Sequence, residues 1–585
     1  MTTVLITFVL MVAASFAAYF LLNKGMSSRA RGQQLRRFLI ASAVASLPVA
    51  IALPASPVRV LPLAVVVGAT WLLTFPLLFH LTNRRSSPDY ENYIDITLGL
   101  YLTGWLIALG LLCAPLPWVV GLLGFVLLMV PFCQWVYYVL YGSCIDANGM
   151  KILQETHYNE IIEFVRSYRW WQVALVTLAV AGVLCCCVAL PSAGPVLAWW
   201  QMGLLAVYAV AIGWYIFNPR HGLFGRTGIA RLWQDIKDYS ARNSRYVTLQ
   251  QQRLQTLDAH QQGTPMTEPH TILLVIGESA ARDHMSSFTP MEHDTTPWMR
   301  QMLTDGQHCV AFPHAYSCAM HTVQVLEKSL TEYNQYNGKQ FYDSCSIVDI
   351  AHRLGYRVHW YSNQGHLGAA DTPITIVAET ADVARWTKQE LGRVQYDEEL
   401  LGYLPEVNGD SNNLLVLHLK GSHFNFMNRY PAERTVWGEP GREDYILNYE
   451  NSLRYTDDVL RQAFDYCRRH LNLQAMVYCS DHATVPDRRR SPNFSGFGDT
   501  RIPLFCWMSS EWQRCHPGRF EALSRNRERY WTNDLLYELV CGVLDIASSH
   551  YDESASLASP LYKYTREELL TFEGRRHISE DGSEK

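Results

Sequence analysis

The chain has 585 residues and a formal net charge of -5, long enough for a membrane region plus one large globular domain. So modest a charge gives no reason to invoke nucleic acid as a partner. The whole-chain figures hide an asymmetry. Up to about residue 217 the sequence is apolar runs broken by short polar loops, and beyond about residue 220 it reads as an ordinary soluble protein.

A bilayer core takes about 20 apolar residues as helix. Seven runs qualify, roughly 2–22, 37–54, 58–81, 95–114, 117–141, 171–190 and 196–217. Met1–Leu22 lacks the basic start of a secretory signal and further runs follow it, so it reads as an anchor. Pro54–Pro57 and Pro191–Pro195 read as tight hairpins. Between the fifth and sixth runs, Met150–Arg166 is amphipathic, with Ile152, Leu153, Ile161, Ile162, Phe164 and Val165 on the apolar face of an interfacial helix. Thr156 and Glu160 stand four apart and share one face of that helix, as a site or as a solvated edge. The loop after the first run carries Lys24, Arg29, Arg31, Arg36 and Arg37, which the positive-inside rule keeps cytoplasmic. Seven spans then put the large domain on that same side; one span more or fewer puts it across the bilayer.

The organisation expected is a transmembrane domain over 1–218, a helical linker over 219–268, an α/β domain over 269–550 and a polar tail over 551–585. Of fourteen cysteines, eight lie in the soluble part; an even number permits disulfides, and no CxxC pair suggests a thiolate zinc site. Thr271–Ile276 is a short β-branched run that reads as a buried strand. Val358–Tyr361, Leu414–His418, Met476–Cys479 and Pro503–Trp507 repeat the pattern, with helical segments such as Ile347–Leu354 and Tyr449–Tyr466 between them. Strands alternating with helices predict a mostly parallel α/β sheet. Ligands of such sheets gather beyond the C-terminal strand ends.

Four places meet that rule. Glu278 follows the first strand, His418 ends the strand before Gly421-Ser422-His423, Asp481-His482 follows MVYCS, and Thr322 lies in SCAMHT. A carboxylate, an Asp-His pair and a hydroxyl make a zinc site in principle, and zinc lowers the pKa of a bound hydroxyl. Taken singly, each has an ordinary reading: a helix-capping acid, a turn, a surface imidazole, one more threonine. Their joint placement carries the argument.

At these residues the sequence resembles the phosphoethanolamine transferases that modify lipopolysaccharide core and lipid A, within the alkaline-phosphatase and sulfatase-like superfamily. The resemblance runs from about Lys151 to about Ile546. VIGESAARDHMSSF (Val275–Phe288) is similar to the opening motif and puts Glu278 on the zinc-binding glutamate; SCAMHT puts Thr322 on the nucleophilic threonine, four residues after Cys318. VLHLKGSHFNFMNRYP (Val416–Pro431) puts His423 on a histidine of the second metal or substrate phosphate, and CSDH (Cys479–His482) gives Asp481 and His482 as zinc ligands. Thr295-Thr296-Pro297, GYRVHWYSNQG (Gly355–Gly365) and NSLRYTDDVL (Asn451–Leu460) complete the set. QETHYNEIIEFV resembles an outward-facing loop, with Thr156 and Glu160 at positions that approach the lipid.

The departures are specific. The family continues SDH with Gly-Glu, where this chain has Ala483-Thr484-Val485. It supplies another histidine about a dozen residues on, whereas no histidine occurs here between His482 and His516. Arg488, Arg489 and Arg490 stand in that stretch, either as phosphate-binding guanidiniums or as a solvated basic loop. The family also pairs the cysteine near the nucleophile with one about ten residues later, absent here, so Cys318 pairs elsewhere or stays free.

The resemblance implies a multi-pass protein of a bacterial inner membrane with a periplasmic catalytic domain. It implies one Zn2+, a second being open, and phosphatidylethanolamine as donor. The phosphoethanolamine passes through a covalent phospho-threonine at Thr322 to an envelope glycolipid. Two other readings remain: a phosphoglycerol transferase or phosphodiesterase of the same fold, and a non-catalytic member kept as a membrane scaffold or sensor.

Overall fold

The computed structural model describes residues 28–52, 61–81, 92–113, 116–141, 170–188, 197–218 and 252–583, apart from 365–371, 388–393, 440, 442–443 and 488–495, with short pieces between. The chain divides into two compact units, Met1–Gln154 with Val165–Asp238, and Glu155–Phe164 with Tyr239–Lys585.

The first unit is helical: α1 (Ser28–Ile51), α2 (Leu61–Leu81), α3 (Asn92–Leu112), α4 (Pro117–Tyr141), α5 (Trp170–Val188) and α6 (Trp199–Phe217). These fall on six of the seven expected runs; the run at 2–22 lies outside the described residues apart from isolated positions. Among the described residues, two helical stretches are long and apolar enough to cross a bilayer, Pro117–Val139 and Trp199–Phe217. Shorter apolar stretches lie at Leu63–Thr74, Thr97–Leu112 and Val173–Cys187.

Packing inside this unit uses small residues and interhelical hydrogen bonds, the means left to helices where water drives nothing together. At the crossing of α2 and α3, a Cβ on Gly99 would stand 2.6 Å from the Gly68 carbonyl oxygen, so only glycine admits this approach. Trp71 Nε1 donates to the Leu127 carbonyl (2.8 Å), Trp105 Nε1 to that of Ala209 (3.0 Å) and Gln201 Nε2 to that of Ile51 (2.8 Å). Leu178, Val207 and Val210 face outward, and exposed Trp170, Trp199 and Trp214 stand near helix ends. That distribution suits a hydrocarbon layer bounded by two interfaces. Thr156 and Glu160 lie outside the described residues.

The second unit is an α/β domain on a seven-stranded sheet. Its strands are β1 (Thr271–Gly277), β2 (Cys309–Ala311), β3 (Arg357–Ser362), β4 (Val383–Trp386), β5 (Asn413–His418), β6 (Leu473–Ser480) and β7 (Leu504–Met508), in spatial order β2-β7-β6-β1-β5-β3-β4. Only β7 runs against its neighbours; every other pairing is parallel. All five strands expected from sequence are present. The two edges were not foreseen, because β2 has three residues and β4 (VARW) is half-exposed, so neither leaves an apolar run. β1, β5 and β6 are buried at every residue, as strands covered on both faces are.

The helices include α7 (Pro297–Asp305), α8 (Thr322–Ser329), α9 (Ile347–Arg353), α10 (Pro373–Glu379) and α11 (Tyr445–His470). α11 buries Tyr449, Leu453, Leu460, Phe464 and Cys467 on one face at helical spacing. From that face Asp457 accepts the backbone N–H groups of Trp298 (2.8 Å) and Met299 (3.0 Å), satisfying orphan donors at the start of α7. Every described cysteine is a free thiol, Cys318 included.

Residues 551–583 are not the polar tail their sequence suggested. Ala555, Leu557, Ala558, Leu569 and Ile578 join the domain core, and Arg501 clamps Asp581 through Nε (2.7 Å) and an η nitrogen (2.8 Å). Their apolar residues sit in turns and 3-10 segments, where neither helical nor strand periodicity can reveal them.

An ion-pair cluster around the buried Glu332 lies just ahead of this C-terminal part. Glu332 lies 3.0 Å from His550 Nδ1 and 2.5 Å from Lys339 Nζ, and accepts the Cys345 N–H (3.1 Å). The hydrogen bond to Glu332 raises the His550 pKa above 6.5 against the opposing effect of burial. A histidine whose folded pKa is raised contributes stability in full below its unfolded pKa and loses it as pH rises through the folded value. His550→Gln should therefore destabilise the fold most at pH below 6.5, with the deficit in melting temperature shrinking as pH rises above it. A deficit that grows with pH would contradict the pairing.

Candidate functional site

Strand register builds the site. Gly277 of β1 pairs with Ser480 of β6, and Ile276 with His418 of β5, so three adjacent parallel strands end at one level. The next residues are Glu278, Asp481-His482 and the turn Leu419–His423. The chain after β1 turns sharply, with Ser279 in the left-handed region at φ 58°, a conformation non-glycine residues adopt only when held. The Ser279 N–H donates to Asp481 Oδ1 (3.0 Å) and its hydroxyl to Glu278 Oε1 (2.6 Å). Tyr449 Oη donates to the Ser279 carbonyl (2.6 Å) and accepts the Ala281 N–H (2.8 Å). Gly421 packs against Glu278 so closely that a Cβ there would meet the Glu278 carbonyl oxygen at 2.6 Å, and its φ of 50° independently favours glycine.

Four of the side chains singled out from sequence meet here. Thr322 is the first residue of α8, and its hydroxyl donates to Glu278 Oε2 at 2.9 Å. His482 Nε2 lies 3.1 Å from Glu278 Oε1 and 3.4 Å from Asp481 Oδ2. His423 follows Gly421-Ser422 on the β5 side, and its charge helps hold Glu278 ionised. Arg488 lies outside the described residues.

The donor set fits a zinc ion. Ligand atoms of Glu278, Asp481 and His482 lie within 4.8 Å of one another, all three residues buried. His482 Nδ1 stands 2.9 Å from the Ala483 carbonyl. Donation there puts the proton on Nδ1 and turns the Nε2 lone pair toward the carboxylates, the usual outer support of a metal-binding imidazole. Asp481 Oδ2 is buried without a hydrogen bond, a costly state for a carboxylate oxygen unless a cation takes it. Two oxygens, one nitrogen and an adjacent hydroxyl suit tetrahedral zinc.

Electrostatics follow the crowding. Burial alone would raise Glu278, but the His482 imidazole and then His423 bring its pKa well below the usual range. Burial and the neighbouring Glu278 push Asp481 up. His418 is fully enclosed, and burial depresses its imidazole to about 4, so it sits as a neutral ring in the floor.

Several supporting residues carried no signal in the sequence. Asn533 Nδ2 donates to the carbonyls of Asp481 (2.5 Å) and Ser480 (3.2 Å), while its Oδ1 accepts the Cys318 N–H (2.9 Å). One amide thus ties the Asp481 loop to the segment carrying Thr322. Thr571 Oγ1 donates to the Ser317 carbonyl (2.7 Å) and the Glu573 N–H to that of Cys318 (2.8 Å). Asn533→Ala would strand the Asp481 and Ser480 carbonyls and the Cys318 N–H, buried groups that cost about 1–3 kcal/mol apiece when unpaired. It should lower unfolding stability by about 3 kcal/mol or more in denaturant titration and reduce the zinc that a zinc-loaded sample retains on dialysis.

A family model described as Sulfatase matches residues 270–541. The chain is 24% identical over 518 residues to the phosphoethanolamine transferase EptC of Escherichia coli (strain K12), covering 80% of this chain and 86% of that protein. It is 25% identical over 514 residues to the phosphoethanolamine transferase CptA of Salmonella typhimurium (strain LT2), with the same coverage of each. The integral membrane lipooligosaccharide phosphoethanolamine transferase A (EptA) of Neisseria meningitidis superposes with a TM-score of 0.58 at 18% identity, over 85% of this chain and 98% of that one. Residues 270–541 thus match the Sulfatase family model, and over most of its length the chain is similar to phosphoethanolamine transferases.

Proposed function

We propose that the protein is a membrane-bound phosphotransferase that moves phosphoethanolamine from phosphatidylethanolamine to a lipopolysaccharide acceptor, core or lipid A, through Thr322. The observation that carries this reading is the Thr322 hydroxyl at hydrogen-bond distance from Glu278, inside a buried Glu-Asp-His donor set. Glu278, Asp481 and His482 would hold the zinc, with Thr322 beside it. Bound there, zinc would lower the pKa of the threonine hydroxyl and offset charge on the phosphoryl oxygens.

In the first half-reaction the Thr322 Oγ1–P bond forms as the P–O bond to diacylglycerol breaks. The hydroxyl proton ends on the diacylglycerol oxygen, and His423 would bind the phosphate or assist that proton transfer. In the second, an acceptor oxygen attacks phosphorus, the bond to Thr322 breaks, and the acceptor's proton returns to the threonine. Splitting one transfer into two is what a nucleophilic side chain accomplishes. Thr156 and Glu160 would hold the ammonium head group, and Arg488 the phosphate. We place the protein in a bacterial inner membrane as a multi-pass chain with its catalytic unit in the periplasm. That placement needs an odd number of crossings after the basic loop at 24–37.

Thr322→Ala should abolish the covalent adduct seen by intact mass after incubation with phosphatidylethanolamine, and lower transfer by about three orders of magnitude or more. An adduct persisting in that variant would refute the assignment. Chelation should remove activity and added zinc restore it; transfer indifferent to chelators would exclude the metal. The mass of the product separates phosphoethanolamine from phosphoglycerol transfer.

A further inference from the structure

Glu278 has two sides. On one stand Asp481 and His482, at the end of β6. On the other, beyond the ends of β5 and β3, stand Lys420 and Gln364. Lys420 is 9% exposed. Its turn is pinned by the buried carboxylate of Asp397, which accepts the N–H groups of Lys420 (2.7 Å) and Gly421 (2.8 Å) and the Asn363 amide (2.8 Å). The ammonium donates to Gln364 Oε1 (3.4 Å), and Gln364 Nε2 reaches Glu278 Oε2 at 3.4 Å, the oxygen that receives the Thr322 hydroxyl. Gln364 is itself steadied by a 2.6 Å bond to the Leu419 carbonyl. The lysine charge is felt across this pocket, since it opposes protonation of His418.

A phosphoryl group in transfer spreads charge over three oxygens, and a single cation on one flank leaves the far flank unbalanced. In this chain the segment after His482 supplies no histidine before His516. Its start folds back onto Asp499, which accepts the Ala483 N–H on its carbonyl (3.1 Å) and the Val485 N–H on Oδ1 (3.0 Å). We propose that Lys420 supplies the second positive charge of this site, binding non-bridging phosphoryl oxygens on the side of Glu278 opposite the zinc ligands. A lysine suits the task as a compact point charge with three donors, and Gln364 orients it. The proposal rests on Thr322 being the nucleophile and puts one zinc and one lysine on the phosphoryl oxygens, beside the contact given to Arg488.

Zinc-loaded full-length protein in detergent should be titrated calorimetrically with inorganic phosphate, with zinc per chain measured on the same samples. Lys420→Met should keep the single zinc and bind phosphate at least about tenfold more weakly, the scale of a charged hydrogen bond; Lys420→Arg should recover affinity to within about threefold. Lys420→Gln carries the same comparison if the methionine variant does not fold. Undiminished phosphate affinity with zinc retained would overturn the role of Lys420 while leaving Thr322 as nucleophile. A second zinc equivalent taken up by wild-type protein with phosphate would overturn it too, because the metal would then supply the second charge. Wild-type protein without zinc-dependent phosphate binding would overturn both readings.

Discussion

Two carboxylates and an imidazole are buried against one another at the ends of β1 and β6, with almost no surface left to water. Charges so placed lose hydration worth several kcal/mol each, and nothing in a hydrophobic core returns it. The surrounding architecture offsets that loss. Parallel register brings the groups level, and the strained turn at Ser279 aims an N–H at Asp481. Tyr449, Asn533 and Asp397 each lock one of the loops that carry the charged residues. A divalent cation among the three residues would complete the balance, so the proposed metal rests on solvation as well as on donor geometry.

The two units solve different solvation problems. The helical unit turns apolar side chains outward and satisfies its few polar ones by hydrogen bonds between helices. The α/β unit does the reverse, burying β1, β5 and β6 completely and gathering its polarity where those strands end. A transferase that took a lipid donor, as proposed, would need both solutions in one chain. The proposed division of labour assigns lipid access to the first and phosphoryl chemistry to the second.

Much of this was legible in the linear chain. The five central strands announced themselves as β-branched apolar runs, and Glu278, Thr322, Asp481 and His482 could be singled out because strand ends are where α/β sheets do chemistry. What stayed hidden has physical reasons. Asn533 and Asp397 act through backbone groups of distant segments, and a side chain bonded to a carbonyl more than fifty positions away leaves no periodic trace. The strands β2 and β4 are too short and too exposed to show a pattern. The stretch 551–583 misled because turns bury residues one at a time. Lys420 was in plain view inside a quoted motif, yet its bearing on the site depends on Gln364, which follows β3 and precedes it by 56 residues.

The turn at Phe572–Gly574 bears on how the threonine loop is held. Phe572, Glu573 and Gly574 run consecutively through left-handed backbone, at φ 54°, 58° and 79°, in the same turn whose neighbours grip the carbonyls of Ser317 and Cys318. Such backbone costs a non-glycine residue about 1–3 kcal/mol and persists only where its surroundings over-determine it. The stiffness of the loop that carries Thr322 is thus borrowed from packing 254 positions away in the chain.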